Sequence, residues 1–168
     1  MQCCGCGVDF GDQDGPTHAY MLSSPGCWAT YGQVLAREYQ DPAYFAIHRL
    51  TVDTYAAHHP GIEKPQARNS VGFHLSRLCL FVEFGWTLKE IDAVTDEISA
   101  KSRAYPWLTP PTTRAAVSVR DVQAATTPEE HRESVRQWAR AVWDNWGVHH
   151  AAVRAWNAGL QRQFTSRP

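Results

Sequence analysis

Val135, Trp138, Val142, Trp146, His149, Val153, Trp156 and Leu160 recur at spacings of three or four, soon after the helix start Thr127-Pro128-Glu129-Glu130. A strand turns successive side chains to opposite faces and cannot bury such a stripe. A helix of about 3.6 residues per turn puts it all on one side. The segment therefore reads as one long amphipathic helix, bent near Gly147, whose apolar face other helices must cover.

The remaining chain supplies those partners. Ser23-Ser24-Pro25 starts a first helix to Tyr39, with Trp28, Tyr31, Leu35 and Tyr39 on one stripe. Asp41-Pro42 starts a second that reaches His58 or His59, where Pro60-Gly61 stops it. Ser70 caps a third, rich in Val71, Leu75, Leu78, Leu80, Phe81 and Val82 and ended by Gly85. Thr87-Leu88-Lys89-Glu90 is a capping box opening a fourth, with Ile91, Val94 and Ile98 inside, and Ser118 to Ala125 reads as a short helix. No segment alternates as a strand does. The expected fold is all-α: one domain over 1–168, with a loop-built metal knuckle in 1–22 and a helical bundle in 23–168.

Charge narrows the partners. Sixteen basic residues against seventeen acidic ones give a net charge of −1, with no basic field to attract nucleic acid. No run approaches the ~18 apolar residues of a membrane helix. The start, MQCCGCGVDF, has neither the basic nor the apolar region of a secretory signal, so a cytoplasmic location is expected. In that reducing setting the odd cysteine count and the bunching of Cys3, Cys4 and Cys6 argue against a disulfide framework. Cys3-x-x-Cys6-Gly7 has instead the spacing with which a turn points two thiolates at one metal ion.

Eight His in 168 residues are the second lead. Helical geometry sorts them by face. Tyr44, His48, Tyr55 and His59 fall along one stripe of the second helix, with Asp53 flanking it. His74 lies with Val71, Leu78 and Phe81 on the inner face of the third, His149 sits in the apolar seam of the last, and His150 lies at its edge. His131, in a first turn, reads as surface, and Cys79 as a buried small hydrophobe. Burying several imidazoles separately would demand a hydrogen-bonding solution for each, which one shared metal ion would supply together.

Several segments carry a resemblance: Cys3-x-x-Cys6-Gly7, Asp14-Gly15-Pro16-Thr17-His18-x-Tyr20, Ser23-Ser24-Pro25-x-Cys27, His48-Arg49-Leu50-Thr51-Val52-Asp53-Thr54-Tyr55 with His59-Pro60-Gly61, Ser70-Val71-Gly72-x-His74-Leu75, and His149-His150 preceding Arg154-x-Trp156. They resemble an uncharacterised bacterial family of small helical proteins, a domain of unknown function, over nearly the whole chain. The resemblance implies no reaction. It implies that His18, Cys27, His48, Asp53, Tyr55, His59, His74, His149 and His150 belong to the family pattern, and Cys4 stands where a proline is usual.

Two functional readings follow. In the first the protein is a metal-dependent enzyme, a hydrolase or transferase acting on a small molecule. His59, His74 and His149 hold zinc, with iron or copper as alternatives, Asp53 and His48 orient them or move protons, and Tyr55 donates one. In the second, Cys3, Cys6 and Cys27 with His18 or another imidazole close a structural zinc site in a binding or regulatory module. The candidate ligands are thus Cys3, Cys6, His18, Cys27, His59, His74, His149 and His150, and the candidate catalytic residues Asp53, Tyr55 and His48. A third reading has no metal, its Cys and His incidental.

Overall fold

The computed structural model describes residues 1–165, with side chains described through Leu160. Its elements follow the local signals in the chain. Ser24 caps α1 (Pro25–Gln40), its hydroxyl accepting from the Cys27 amide at 3.3 Å, and Asp41 caps the single turn α2 (Pro42–Phe45). Helix α3 (His48–His58) follows, then α4 (Pro65–Leu78), which runs on through a π-helical turn at Cys79–Glu83. Capping boxes open α5 (Leu88–Ala93), α7 (Val119–Ala124) and α8 (Pro128–Asn145), while α6 (Thr95–Ser102) begins straight after α5. A 3₁₀ turn, Gly147–His149, joins α8 to α9 (His150–Thr165). Among the described residues there is no strand, only an isolated bridge between Gln2 and Asp9, so the fold is all-α.

Four boundaries differ from the sequence reading. The second helix divides at Ala46-Ile47, which lets the Tyr44 hydroxyl donate to Thr126 O (3.2 Å) while His48 turns back onto α1. The third begins at Pro65, because a proline at the first helical position is itself a start signal, and Ser70 lies inside it. The fourth breaks at Val94, whose ψ of 10° leaves the helical region. The bend near Gly147 is a full break of the last helix.

Helix α3 is central, packed on α1, α4 and α8. Tyr55, Leu50, Leu75, Leu78, Trp138 and Trp146 are fully buried there, and a smaller cluster forms around Leu80, Ile91, Ile98 and Leu160. Two tryptophans tie α8 to the end of α3. Trp138 Nε1 donates to His58 Nδ1 and Trp146 Nε1 to Ala57 O, both at 3.0 Å, so each large ring is buried with its one polar group satisfied. Among the described residues no helix is long and apolar enough to cross a membrane.

Candidate metal centre

The N-terminal segment folds back on itself before it meets the helices. Cys3 N donates to Val8 O (2.9 Å) and Gly7 N to Cys3 O (2.8 Å), a knuckle that turns the Cys3 and Cys6 side chains inward. Two helix termini face it. Cys27 sits in the first turn of α1, its thiol fully buried. His59 caps the C-terminus of α3, its amide bonded to Tyr55 O and Ala56 O, and Pro60-Gly61 then leads the chain away.

Glycine makes the approach possible. A Cβ on Gly5 would collide with His59 Cδ2 and the Leu22 carbonyl, and one on Gly61 (φ 77°) with the Tyr20 carbonyl. The turn thus lies directly against the imidazole ring.

The three thiols and the imidazole converge. One ligand atom each from Cys3, Cys6, Cys27 and His59 all lie within 4.8 Å of one another, and all four residues are buried. Cys6 Sγ is 3.9 Å from Cys27 Sγ, and Cys27 Sγ is 3.4 Å from His59 Nε2. His59 Nδ1 donates to Tyr55 O at 2.9 Å, which fixes the tautomer and leaves Nε2 bare toward the sulfurs. The Tyr55 ring stacks on His59 (4.1 Å between centroids) and on Tyr31 (3.8 Å), and its hydroxyl lies 3.6 Å from Cys27 Sγ. Ser24 N donates to Cys3 Sγ at 3.4 Å.

Three thiols crowded into one buried space cannot all ionise alone. Hydrogen bonds from Cys27 and Cys6 push the Cys3 thiol far down, while bonding to Cys3 and Cys6 pushes Cys27 far up. Cys6, whose bond to Cys27 favours its thiolate, is still pushed up to about 11 by its bond to Cys3 and by burial. Burial pushes the Tyr55 hydroxyl up as well. A bound cation would stabilise all three thiolates, displacing the protons that remain. The arrangement can hold a metal ion.

The other sequence candidates stand elsewhere. His18 Nδ1 accepts from the Tyr20 and Met21 amides (3.4 and 3.3 Å). His48 donates through Nδ1 to Glu38 (2.7 Å) and accepts from the Tyr39 hydroxyl (3.1 Å). His74 donates to Asp53 at 2.8 Å. The 3₁₀ turn rotates His149 out of the seam, and its Nε2 donates to Thr109 O (2.8 Å). His150 stacks on Trp143 (4.0 Å) and donates to Trp143 O (2.8 Å).

His131 is fully buried, not at the surface. It lies one turn before Val135 and so continues the apolar stripe. Its Nε2 donates to Glu38 Oε1 (2.9 Å), which also accepts from Thr51 Oγ1 (2.5 Å). Cys79 is buried, as its place among apolar residues implies. Glu38 is the functional-looking acid that composition and motifs do not mark, although its 31, 34, 38 spacing with buried Tyr31 and Val34 places it on the inward face of α1.

The chain belongs to a family of unknown function (DUF5946), whose family model matches residues 1–147. No curated protein and no solved structure matches it.

Proposed function

We propose that this family member is a zinc protein in which Cys3, Cys6, Cys27 and His59 form a closed structural site pinning the N-terminal knuckle to the ends of α1 and α3. One observation carries the reading: four buried donor atoms from three separate parts of the chain, mutually within 4.8 Å. The donor set fits zinc. Zn–S bonds of ~2.3 Å and Zn–N bonds of ~2.0–2.1 Å, set tetrahedrally, imply ~3.8 Å between sulfurs and ~3.6 Å from sulfur to nitrogen. The Cys6–Cys27 and Cys27–His59 separations are 3.9 and 3.4 Å.

A catalytic zinc keeps one position for water or substrate, and four protein donors at under 3% exposure leave none, which supports the structural reading over the enzymatic one. The ion's contribution would be folding energy, since the ligands come together only when residues 1–22 dock. We place the protein in the cytoplasm, where a reducing poise keeps thiols available.

Elemental analysis tests the reading. Wild type purified under reducing conditions with zinc supplied should carry about one zinc per chain, and Cys3→Ala should carry none. Metal-free wild type, or full occupancy in Cys3→Ala, would overturn it.

A further inference from the structure

His74 stands at a cavity wall with one nitrogen fixed and the other unused. Its Nδ1–H donates to Asp53 Oδ1 at 2.8 Å. Asp53 is buried and gripped by Arg77 Nε at 2.8 and 3.0 Å, and Arg77 is held in turn by Thr95 Oγ1 (2.5 Å) and Asp92 Oδ1 (2.9 Å). This chain of bonds locks the ring and its tautomer. Nε2 is therefore an acceptor, and among the described residues it has no protein partner. A carboxylate behind an imidazole stabilises the imidazolium formed when the far nitrogen takes a proton.

The space beside it suits a small polar molecule. The cavity measures about 390 Å³, within the usual range for small ligands, and Gln66, Asn69, Ser70 and His74 line it from one side of α4. Ser99 and the exposed Arg103, at the end of α6, line the other side of this solvent-open cleft. Among the described residues, the side chains of Gln66, Asn69, Ser70 and Arg103 make no hydrogen bond or ion pair with the protein. A guanidinium with no carboxylate partner, neutral donors and acceptors, and an oriented base thus share one cleft.

We propose that this cleft binds a small molecule bearing hydroxyl groups and one oxyanion, a carboxylate or a phosphate, with His74 as its acid–base group. Arg103 meets the oxyanion, Gln66, Asn69 and Ser70 bond the hydroxyls, and the nearest hydroxyl donates to His74 Nε2. With Asp53 holding the opposite nitrogen, Nε2 is then an oriented base in hydrogen-bond contact with that hydroxyl oxygen. None of these residues belongs to the metal centre, so the site is independent of the zinc reading.

The test is calorimetric titration of the zinc-loaded full chain with glycerate, glycerol 3-phosphate and glycerol, together with the ¹⁵N shifts of the His74 ring. One or both anions should saturate and shift Nε2, glycerol should not, and Arg103→Ala and His74→Ala should each weaken binding at least about tenfold. Which anion saturates assigns carboxylate or phosphate. No saturation by either anion below about 10 mM, or binding that both variants leave unchanged, overturns the proposal. Zinc content measured on each variant separates a failure of this cleft from a failure of the metal site.

Discussion

Helices α1 and α3 are joined at both ends by buried polar clusters built from overlapping residue types, and the two clusters do different chemistry. At one end Cys27 of α1 meets His59, just past the last turn of α3. At the other, Glu38 of α1 meets His48 at the first turn of α3, with Thr51 and His131 completing the set. Around Glu38 each bond pairs a donor with a carboxylate oxygen, at 2.5 to 2.9 Å. Around Cys27 the donor atoms face one another, and the bare Nε2 of His59 has only sulfur before it. What separates the two ends is therefore which ring nitrogen the cluster faces: Glu38 accepts from ring N–H groups of His48 and His131, whereas the thiols face the unprotonated Nε2 of His59, which leaves room for a cation.

Chelation should break the first end and spare the second. Metal withdrawal, or Cys27→Ala, releases the knuckle and should give the largest loss of stability in the molecule, because for such sites binding free energy is folding free energy. The check is the thermal midpoint with and without chelator. A wild-type midpoint that chelator leaves unmoved would show that the ion stabilises nothing. Glu38→Ala should come next, at about 3–5 kcal/mol, since it strips the acceptor from three buried donors. Zinc content should stay intact in that variant, which distinguishes the two ends.

Acid should weaken the Glu38 end in a defined window. Burial raises the Glu38 pKa, but the bonds from His131, His48 and Thr51 outweigh it and hold the carboxyl below its ordinary 4.5. A group with a depressed folded pKa contributes stability that is complete above its unfolded value and is lost as pH falls through the folded one. Wild type should therefore lose stability below about pH 4.5 more steeply than Glu38→Gln, the difference being read from denaturant midpoints across that range. Parallel slopes would mean that the carboxylate carries no such linkage.

How far these two ends were legible depends on distance along the chain. Caps are local, so Ser24, Thr87, Ser118 and Thr127 announced their helices, and Cys3-x-x-Cys6 announced a knuckle. Face assignment worked while a helix stayed regular. It failed at Gly147–His149, where a 3₁₀ turn shifts the phase, and at Ala46-Ile47, where a split that no proline or glycine marks reorients His48. His131 was readable from its spacing to Val135 and Trp138, but a first-turn position suggested solvent, and only the packing of α8 against Glu38 decides it. Sequence narrows the candidate ligands to a set of imidazoles; the one that lies against the thiols is His59, brought there by the close approach at Gly5.

The smallest expected effect tests that last distinction. His149 belongs to the apolar stripe by spacing, yet it is only half-buried and makes one side-chain bond, to Thr109 O. Replacing it by alanine removes a single hydrogen bond whose carbonyl partner can turn to water, a cost of about 0.5–1.5 kcal/mol. Metal content should be unchanged, and the chelator-induced fall in thermal midpoint should match that of wild type. Because an unbroken last helix would turn His149 toward the interior that His59 faces, this variant separates the two assignments directly. Loss of metal in His149→Ala would mean that the last helix turns its imidazole inward and that the centre is not the one formed by Cys3, Cys6, Cys27 and His59. Retention, beside its loss in Cys27→Ala, leaves the ion where three sulfurs and one bare nitrogen already face each other.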